Sequence, residues 1–485
     1  MGYLIGFHSR EKIEALRFLA QTLKELKSRR KAWHIWTYLD GEVLENPSME
    51  ELEGVKVSLG LLGGFLKEVS DGCQPVETAV GTFLAGSGRI FDPEGWGQLA
   101  KGLVGKLAMD GLKLAAWKTY GNYVLTLFSR EGLWLLRDPT GFEPLFFYSS
   151  PGLSIFSQTK KTLWKLGFKK LERLKPGWGC RLKAGETPAF QLASLQKPSP
   201  SKITFREAVE KISKSLSEAF KVRIEGLKNR IGVLFSGGLD SSLTALMLDK
   251  AGLRPVLYTA GFEDSKDLEA ACKAAEVLGL PVRARSLKVK EAEGLIKKAI
   301  YACERARLID VGVTLPLYAA AEKARGDGFN IFFLGQGFDE LFGGYARYPR
   351  IAGEKGWRAL DEALFEDAVR LAEESFEREW ATASSLGVRF ELPSSDLRLT
   401  MEALRLPAKF KVSKFKDPLR KKVLRRAALR LGLSSTLASK PKKAVQFGSG
   451  TIKVLKALAG RQGLKVNDYL EGVFFKTLGL RPEEA

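Results

Sequence analysis

Short apolar runs separated by turn residues mark roughly the first 190 residues of the chain. Apolar and aromatic side chains fill residues 123–128, 133–136 and 145–148. The intervening segments, SREG at 129–132 and DPTG at 138–141, carry residues that favour turns. This pattern predicts a sheet-dominated first domain with a few helices.

The pattern changes after a polar stretch, QKPSPS at residues 196–201, which is rich in Pro and Ser and predicts a linker. Beyond it, strands are predicted at 231–235, 256–259, near Val282 and at 331–334, with helices at 243–251 and from about 268 to 278. Alternation of this kind is typical of a parallel sheet with helices on both faces. Such sheets bind ligands beyond the carboxyl ends of their strands.

The length of 485 residues exceeds the size at which a single core keeps growing. The hydrophobic fraction of 45% and the aromatic fraction of 10% are enough for full-sized cores. We therefore expect two domains, at residues 1–195 and 202–485.

The charge balance is strongly basic, with 77 Lys and Arg against 56 Asp and Glu and a net charge of +21. Residues 404–443 hold 14 of these cations and one acid, a net of +13. A solvated Lys-rich surface and a polyanionic partner such as tRNA both account for such a balance, and both explanations stay open.

Cysteine and histidine usage excludes some kinds of site. The four Cys form no C-x-x-C pair, which argues against zinc and indicates free thiols in a reducing cytosol. Only two His are present, so a Ser–His–Asp or Cys–His mechanism has little to draw on. There is neither a signal peptide nor an apolar run of about 18 residues. We expect a cytoplasmic protein with no membrane partner.

The sequence SGGLDSS at residues 236–242 lies between the first strand of the second domain and a helix. Two glycines allow backbone amides to approach an anion, and the helix N-terminus adds free N–H groups and partial positive charge. Three serine hydroxyls can donate further hydrogen bonds, so the loop predicts a phosphate site. A carboxylate in such a loop would repel phosphate unless a divalent cation intervened, and Asp240 is therefore predicted to bind Mg²⁺.

This loop resembles the pyrophosphate loop (PP-loop) of the N-type ATP pyrophosphatases, which include asparagine synthetase, GMP synthetase, argininosuccinate synthetase and several tRNA-modifying enzymes. LGQGFDELFGGY at residues 334–345 is similar to the SGEGxDELFGGY segment of the asparagine synthetases. The resemblance implies an asparagine synthetase-like, AMP-forming carbon–nitrogen ligase. Such an enzyme uses ATP and Mg²⁺ to adenylate a small-molecule carboxylate, and then transfers ammonia or an amine to it.

The same resemblance implies roles for individual residues. Asp240 and Asp339 would hold Mg²⁺, and Lys442, in a KPKK segment similar to the family's R-x-K element, would stabilise the oxyanion of the acyl transition state. AGF at residues 260–262 looks like the family's second-strand segment next to the adenosine. The implied nucleotide contacts are Leu234, Ser236, Gly237, Gly238, Asp240, Ser241, Ser242, Ala260 and Gly335.

The first domain resembles the class II glutamine amidotransferases. RDPTGFEPLFF at 137–147 is similar to their RDxxGxxPLYY, and FSQTK at 156–160 and KPG at 175–177 match further segments. The implied fold is the α+β sandwich of N-terminal nucleophile (Ntn) hydrolases, followed by an α/β parallel-sheet PP-loop domain. However, Gly2 stands where these enzymes have their nucleophilic Cys, and SGR at 87–89 stands where they have NGE. We expect no glutaminase activity, because glycine has no side chain that could attack an amide.

The second domain also departs from the family around the acceptor. Gln336 replaces a Glu that could accept a proton, and Arg389 and Glu391 exchange the charges of a G-V-E-x-R element. These residues are predicted to contact the substrate. Their change favours a carboxylate other than aspartate.

Three alternatives to an asparagine synthetase-like ligase stay open. One is intramolecular amide formation of the β-lactam synthetase type. Another is a tRNA-modifying enzyme that amidates a carboxylate and binds RNA through residues 404–443. The third, a non-enzymatic nucleotide-binding regulator, is disfavoured because Asp240, Asp339 and Lys442 are all present. The nitrogen donor and a homodimeric state also stay open.

Overall fold

The computed structural model describes residues 3–27, 33–66, 72–79, 81–92, 95–103, 108–129, 132–183, 187–227, 230–263, 265–441 and 448–484. The chain divides into two compact units. The first comprises the residues up to 195 together with 483–484, and the second comprises residues 196–482. The division falls at the first residue of the polar stretch 196–201.

The first unit consists mainly of strands. Its strands are β1 (Tyr3–Glu14), β2 (Trp33–Leu39), β3 (Glu42–Glu45), β4 (Lys56–Leu66), β5 (Gly72–Ala79), β6 (Thr82–Ile90), β7 (Gly121–Ser129), β8 (Gly132–Arg137), β9 (Phe146–Ser150), β10 (Leu153–Ser157), β11 (Glu172–Arg173), β12 (Trp178–Leu182) and β13 (Ala189–Gln191). Its helices are α1 (Ala15–Lys27), α2 (Trp96–Leu103), α3 (Ala108–Lys118) and α4 (Lys160–Lys165).

These strands form two sheets in which every pairing is antiparallel. One sheet has the order β11-β9-β10-β1-β4-β2-β3, and the other has the order β13-β12-β8-β7-β6-β5. The predicted runs at 123–128, 133–136 and 145–148 correspond to β7, β8 and β9.

The core of the first unit lies between the two sheets. Trp36 and Leu61 from the first sheet share a buried cluster with Val124 and Leu135 from the second. The alternate residues of β7, such as Leu125, pack on the opposite face of that sheet in a cluster with residues of α2 and α3. On the first sheet, α1 packs against β4 and β1. The layers are therefore helix, sheet, sheet and helix, and β7 is apolar throughout because both its faces are buried.

The turn that follows β8 is held by buried charged groups. The Arg137 guanidinium is fully buried and donates to the carbonyl oxygens of Glu143 at 2.8 Å, Leu174 at 2.8 Å and Gly141 at 2.6 Å. The Asp138 carboxylate accepts from the backbone N–H groups of Thr140 at 2.8 Å and Gly141 at 2.9 Å. Burial of these charges is tolerated because each has hydrogen-bond partners.

The second unit alternates strands and helices. Its strands are β14 (Ile231–Leu234), β15 (Val256–Phe262), β16 (Val282–Leu287), β17 (Ile331–Phe333) and β18 (Arg389–Glu391). Its helices are α5 (Phe205–Ile224), α6 (Leu239–Lys250), α7 (Lys266–Leu278), α8 (Ala292–Cys303), α9 (Leu308–Gly326), α10 (Phe338–Phe342), α11 (Arg347–Glu354), α12 (Gly356–Leu371), α13 (Glu377–Leu386), α14 (Leu397–Arg405), α15 (Lys422–Arg430), α16 (Ser435–Ala438), α17 (Thr451–Arg461) and α18 (Val466–Leu478).

The strands of the second unit form a parallel sheet in the order β16-β15-β14-β17-β18. The predicted parallel α/β sheet is present. The chain adds β15 and β16 on one side of β14, and β17 and β18 on the other. This order creates a topological switch point between β14 and β17, and a crevice opens beyond their carboxyl ends at such points.

Candidate functional site

The loop after β14 is shaped to receive an anion. Gly237 has a φ of +69°, and a Cβ at this position would lie 2.7 Å from Ala271 Cα. Gly238 caps α6 without a side-chain hydrogen bond, so the first amides of this 12-residue helix have no side-chain acceptor at the cap. Ser236 Oγ lies 3.2 Å from Ser241 Oγ, which turns both hydroxyls into the loop. Free amides at a helix N-terminus, with hydroxyls beside them, favour a bound phosphate.

Two carboxylates meet next to this loop. Asp240 lies in the first turn of α6, and Asp339 lies in α10, which follows β17. The Lys421 ammonium is 2.6 Å from Asp240 Oδ2 and 2.8 Å from Asp339 Oδ1. The structure thus brings the two predicted Mg²⁺ ligands to one cation. It also identifies Lys421, 1% exposed, as a site residue that the sequence did not single out.

An unusual turn delivers Lys421 to this position. Arg420 and Lys421 both adopt left-handed backbone conformations, each with a φ of +51°. Such conformations cost on the order of 1–3 kcal/mol each for residues other than glycine. The Asp417 carboxylate stabilises the turn by accepting from the N–H groups of Arg420 at 2.8 Å and Ser413 at 2.7 Å. In the sequence, this turn was indicated only by Asp417, the single acid of the basic segment 404–443.

Glycines allow the loops after β14 and β17 to touch. A Cβ on Gly335 would lie 2.8 Å from Asp240 Cβ and 3.0 Å from Ser241 N. A Cβ on Gly344 would overlap the carboxylate of Asp339. Any larger side chain at either position would push the two carboxylates apart, so these glycines are required by close approach.

A cavity of about 1120 Å³ extends from these carboxylates. Leu234, Ser236, Ser241, Ala260 and Gly335 line the end near the loop, as the resemblance implied. The remainder is lined by residues of α9, by Gln336 and Glu340, and by residues between Tyr345 and Arg378. The volume exceeds the roughly 300–1,000 Å³ of typical small-molecule sites, which leaves room for a nucleotide and a second substrate.

The wall formed by α9 carries a fixed charge network around Asp310. Arg307 Nε lies 2.6 Å from Asp310 Oδ2, while Arg378 and Arg305 lie 3.1 and 3.4 Å from Asp310 Oδ1. Burial opposes ionisation of Asp310, but the three arginines hold its pKa below the ordinary value. The wall is therefore rigid and charged beside the apolar residues Ile309, Val313 and Leu317.

Glu340 is the carboxyl closest in sequence to Asp339, and it also lines the cavity. Burial, and then the charge of Asp339, raise the pKa of Glu340 to about 7. The Tyr345 hydroxyl donates to Glu340 Oε1 at 2.5 Å. Glu340 therefore keeps its proton to a higher pH than an ordinary glutamate does.

Arg389 and Glu391, which were predicted to contact the acceptor, lie on the edge strand of the parallel sheet. Both are 2% exposed, and they are not among the residues that line the cavity. Arg389 Nε donates to Glu391 Oε1 at 2.6 Å, and Arg223 Nε lies 3.8 Å from Glu391 Oε2. The exchanged charges neutralise each other in the interior, so they are not available to a ligand. Gln336 does line the cavity.

The last predicted residues fall close to the loop or outside the described chain. Ser242 is fully buried in α6, and its hydroxyl has no hydrogen-bond partner among the described residues. Lys442 and Gly2 lie outside the described residues. Lys440, two positions before Lys442, donates to the carbonyl oxygens of Gly237 at 3.2 Å and Ala270 at 3.5 Å. The KPKK segment therefore begins against the phosphate loop.

The carboxylate pair fits a magnesium ion that is shared with a substrate. Mg²⁺ is usually held by one or two carboxylates, with waters and phosphate oxygens completing its shell. The oxygens of Asp240 and Asp339 already approach a single cation within 2.8 Å. In the described part of the chain, no group of three or more His, Cys, Asp or Glu forms a separate metal site.

Comparison with known proteins confirms the resemblance to asparagine synthetases. Residues 211–382 match the family model for asparagine synthase. A Methanocaldococcus jannaschii protein assigned as a glutamine-hydrolysing asparagine synthetase is 29% identical over 401 residues, covering 72% of this chain and 74% of that protein. The chicken (Gallus gallus) enzyme is 29% identical over 46% of this chain and 40% of its own length. Asparagine synthetase B of Escherichia coli is 28% identical over 36% of this chain and 34% of its own length.

Solved structures are similar only at a low level. Glutamine phosphoribosylpyrophosphate amidotransferase from B. subtilis is 14% identical and covers 59% of this chain and 65% of its own, with a TM-score of 0.32. NMN synthetase from Francisella tularensis is 13% identical and covers 57% of this chain and 92% of its own, with a TM-score of 0.27. Among the helices described, none is both long and apolar enough to cross a membrane.

Proposed function

We propose that this chain, a relative of the asparagine synthetases, adenylates a carboxylate with ATP, releases pyrophosphate, and then transfers ammonia or an amine to form an amide. The central observation is the meeting of Asp240 and Asp339 at one cation, beside the N-terminus of α6. A phosphate loop with two carboxylates and no Walker lysine suits the release of pyrophosphate from MgATP.

Each residue of the loop has a separate role in this proposal. The α6 amides and the Ser236 and Ser241 hydroxyls bind the phosphates that leave as pyrophosphate. Asp240 and Asp339 would hold Mg²⁺, which would supply positive charge to those phosphates. Lys421 moves from the two carboxylates to the phosphate oxygens when MgATP binds. Lys442 supplies the cation for the acyl oxyanion, a role that rests on the resemblance alone.

The first unit supports an amine donor other than glutamine. Its helix–sheet–sheet–helix layers fit the Ntn-hydrolase sandwich that the resemblance implied, and the parallel sheet of the second unit fits a PP-loop domain. However, Gly2 cannot act as a nucleophile, and Arg89 stands where the related glutaminases have Glu. The Arg89 guanidinium lies 5.6 Å from the centroid of the Phe91 ring. Free ammonia or an amine is therefore the nitrogen source.

The acceptor is a carboxylate other than aspartate. Gln336, which lines the cavity in place of a proton-accepting Glu, supports this part of the proposal, whereas Arg389 and Glu391 do not. The cavity volume of about 1120 Å³ also accommodates an acceptor larger than aspartate.

The nucleotide products test this function. Incubation with MgATP, ammonium and a panel of carboxylates should yield AMP and pyrophosphate, and Asp240→Ala should abolish both. Asp249→Ala, on the same helix but outside the cavity lining, is the matched control and should retain the reaction. Release of ADP and inorganic phosphate would rule the proposal out.

A further inference from the structure

The basic segment 404–443 is not a single surface, because several of its cations serve the fold. Lys421 binds two carboxylates, and Lys440 donates to two carbonyl oxygens. Arg425 donates to the carbonyl oxygens of Ala438 at 2.5 Å and Lys440 at 2.8 Å. Lys411 is 1% exposed. These residues cannot bind a polyanion without breaking internal contacts.

The exposed remainder includes a lysine–phenylalanine–lysine loop at residues 414–416. Phe415 is 64% exposed, the highest value for a large apolar side chain in the described chain. It also adopts a left-handed backbone with a φ of +57°. Such a conformation is uncommon for a bulky residue, and strained positions of this kind cluster at active sites and ligand-binding sites.

Contacts fix this loop along helices α11 and α12. The Phe415 N–H donates to Pro349 O at 2.8 Å, and the Phe415 ring packs over Gly353 at the position a Cβ would occupy. Lys414 Nζ lies 5.5 Å from the centroid of the Trp357 ring. One edge of Phe415 is therefore buried against glycine, while most of its surface remains open for stacking.

The surroundings of the loop are basic. Arg350 of α11, Arg358 of α12 and Lys355, which lies between the two helices, are exposed, and Glu354 is the single acid between residues 347 and 358. Asp417 follows the loop directly and offsets one of its charges, while its carboxylate oxygens accept from the backbone N–H groups of Ser413 and Arg420. We call Arg350, Lys355, Arg358 and residues 414–416 the lysine–aromatic surface. Helix α11, which carries Arg350, begins at the cavity-lining residue Arg347.

We propose that the lysine–aromatic surface binds an unpaired segment of RNA, with phosphates on its cations and a base stacked on Phe415. Exposed aromatic rings between cations bind single strands because every base has a face that can stack. Of the two nucleic acids, RNA is the one whose folded form presents unstacked bases in loops and ends. This partner goes beyond the proposed ligase activity.

Binding of a labelled 20-nucleotide single-stranded RNA, followed by fluorescence anisotropy from 50 to 200 mM salt, tests this inference. Phe415→Ala should weaken binding by roughly 5- to 160-fold, because stacking on one base contributes about 1–3 kcal/mol. Phe415→Tyr, which keeps an aromatic ring, should bind as the unaltered chain does. Replacing Lys414 and Lys416 with Ala should reduce the slope of log K against log salt by about 1.4, since each single-strand phosphate contributes about 0.7.

The matched control replaces Lys453 and Lys456, two exposed lysines of α17, with Ala and should leave the slope unchanged. Three results would overturn the inference: no RNA binding at 50 mM salt, equal losses in the control and the surface variants, or equal affinity for DNA of the same sequence. RNA binding is measured without ATP or an acceptor, so its failure leaves the ligase proposal standing. Retained AMP formation by each variant shows that the second unit is folded.

Discussion

Lys421 occupies the position that a divalent ion needs. Its ammonium lies within 2.8 Å of the carboxylates of Asp240 and Asp339, which would otherwise repel each other in a partly buried site. Under the proposed function, we expect this arrangement to lower the affinity for Mg²⁺ until ATP offers phosphate oxygens to Lys421. Metal binding and nucleotide binding would then be coupled through one side chain.

Replacing Lys421 with Met should therefore raise the affinity for Mg²⁺ in the absence of ATP by about tenfold or more. The reason is that the hydrogen bonds from the Lys421 ammonium to the two carboxylates, about 1.5–3 kcal/mol for charged groups, no longer compete with the metal ion. The same variant should lose AMP formation. Mn²⁺ binding, measured by electron paramagnetic resonance, provides the readout. Lys440→Met, which removes contacts to carbonyl oxygens only, is the control. Equal Mn²⁺ affinities for Lys421→Met and the unaltered chain would refute the competition.

Individual site residues could be predicted where a strand ends. Asp240 and Asp339 follow β14 and β17, and parallel strands bring such positions to one edge of the sheet. Lys421 escaped prediction because it sits in a basic run, and its left-handed backbone leaves no recognisable motif. The contact between Arg389 and Glu391 could not be predicted, because a charge exchange in the sequence does not reveal whether the pair faces a ligand or each other.

At the scale of elements, the cavity depends on irregular segments that sequence patterns do not specify. A short π-helix, Ala372–Phe376, joins α12 to α13 and contributes Glu374 and Ser375 to the cavity wall. Such turns occur frequently at functional sites. Strand β18, three residues long, was too short to predict from periodicity. By contrast, β14, β15, α7, β16 and β17 were predicted, because their apolar runs are bounded by turn residues.

The turn before α15 also contains a buried amine whose ionisation affects stability. Burial lowers the pKa of Lys411 from 10.5 to about 8, although Asp361 partly offsets the shift. Between pH 8 and 10.5 the unfolded chain holds a proton that the folded chain has released, so this group makes folding more favourable as pH rises. The effect is on the order of 3 kcal/mol at most.

Lys411→Met should abolish this rise in the free energy of unfolding between pH 8 and 10.5. Denaturant unfolding at pH 8 and pH 10 measures it for Lys411→Met and for Lys409→Met, an exposed neighbour that should behave as the unaltered chain does. If the free energy of unfolding changed equally with pH in the two variants, the pKa of Lys411 would not be lowered by folding.

At the scale of the whole molecule, we expect the second unit to carry the ligase activity and the first unit to have no glutaminase activity. The second unit retains the carboxylates and the loop of its relatives, whereas the first unit retains the buried Arg137 turn but not the nucleophile. The sandwich is held together by apolar clusters on both sides of the second sheet, which include Leu135 on one face and Leu125 on the other. The boundary near residue 196 could be read from composition, but the assignment of residues 483–484 to the first unit could not.

The first unit should release no glutamate from glutamine above a protein-free blank, because no nucleophile is present at position 2. Gly2→Cys alone should also remain inactive, since Arg89 still replaces the carboxylate that binds the substrate amine in related enzymes. Glutamate release is measured with an enzyme-coupled assay. In parallel, the ligase reaction is run with glutamine and with ammonium as the nitrogen source, and we expect product only with ammonium. Glutamate formation by the unaltered chain would show that another residue acts as nucleophile.

Exchange of labelled pyrophosphate into ATP tests the central claim most directly, because it reports carboxylate adenylation before any amine is needed. With MgATP and a panel of carboxylates, we expect label to enter ATP only when an acceptable carboxylate is present. The label should be lost in Asp240→Ala and retained in Asp249→Ala. Consumption of ATP to ADP and inorganic phosphate, with no exchange under any carboxylate, would contradict the account.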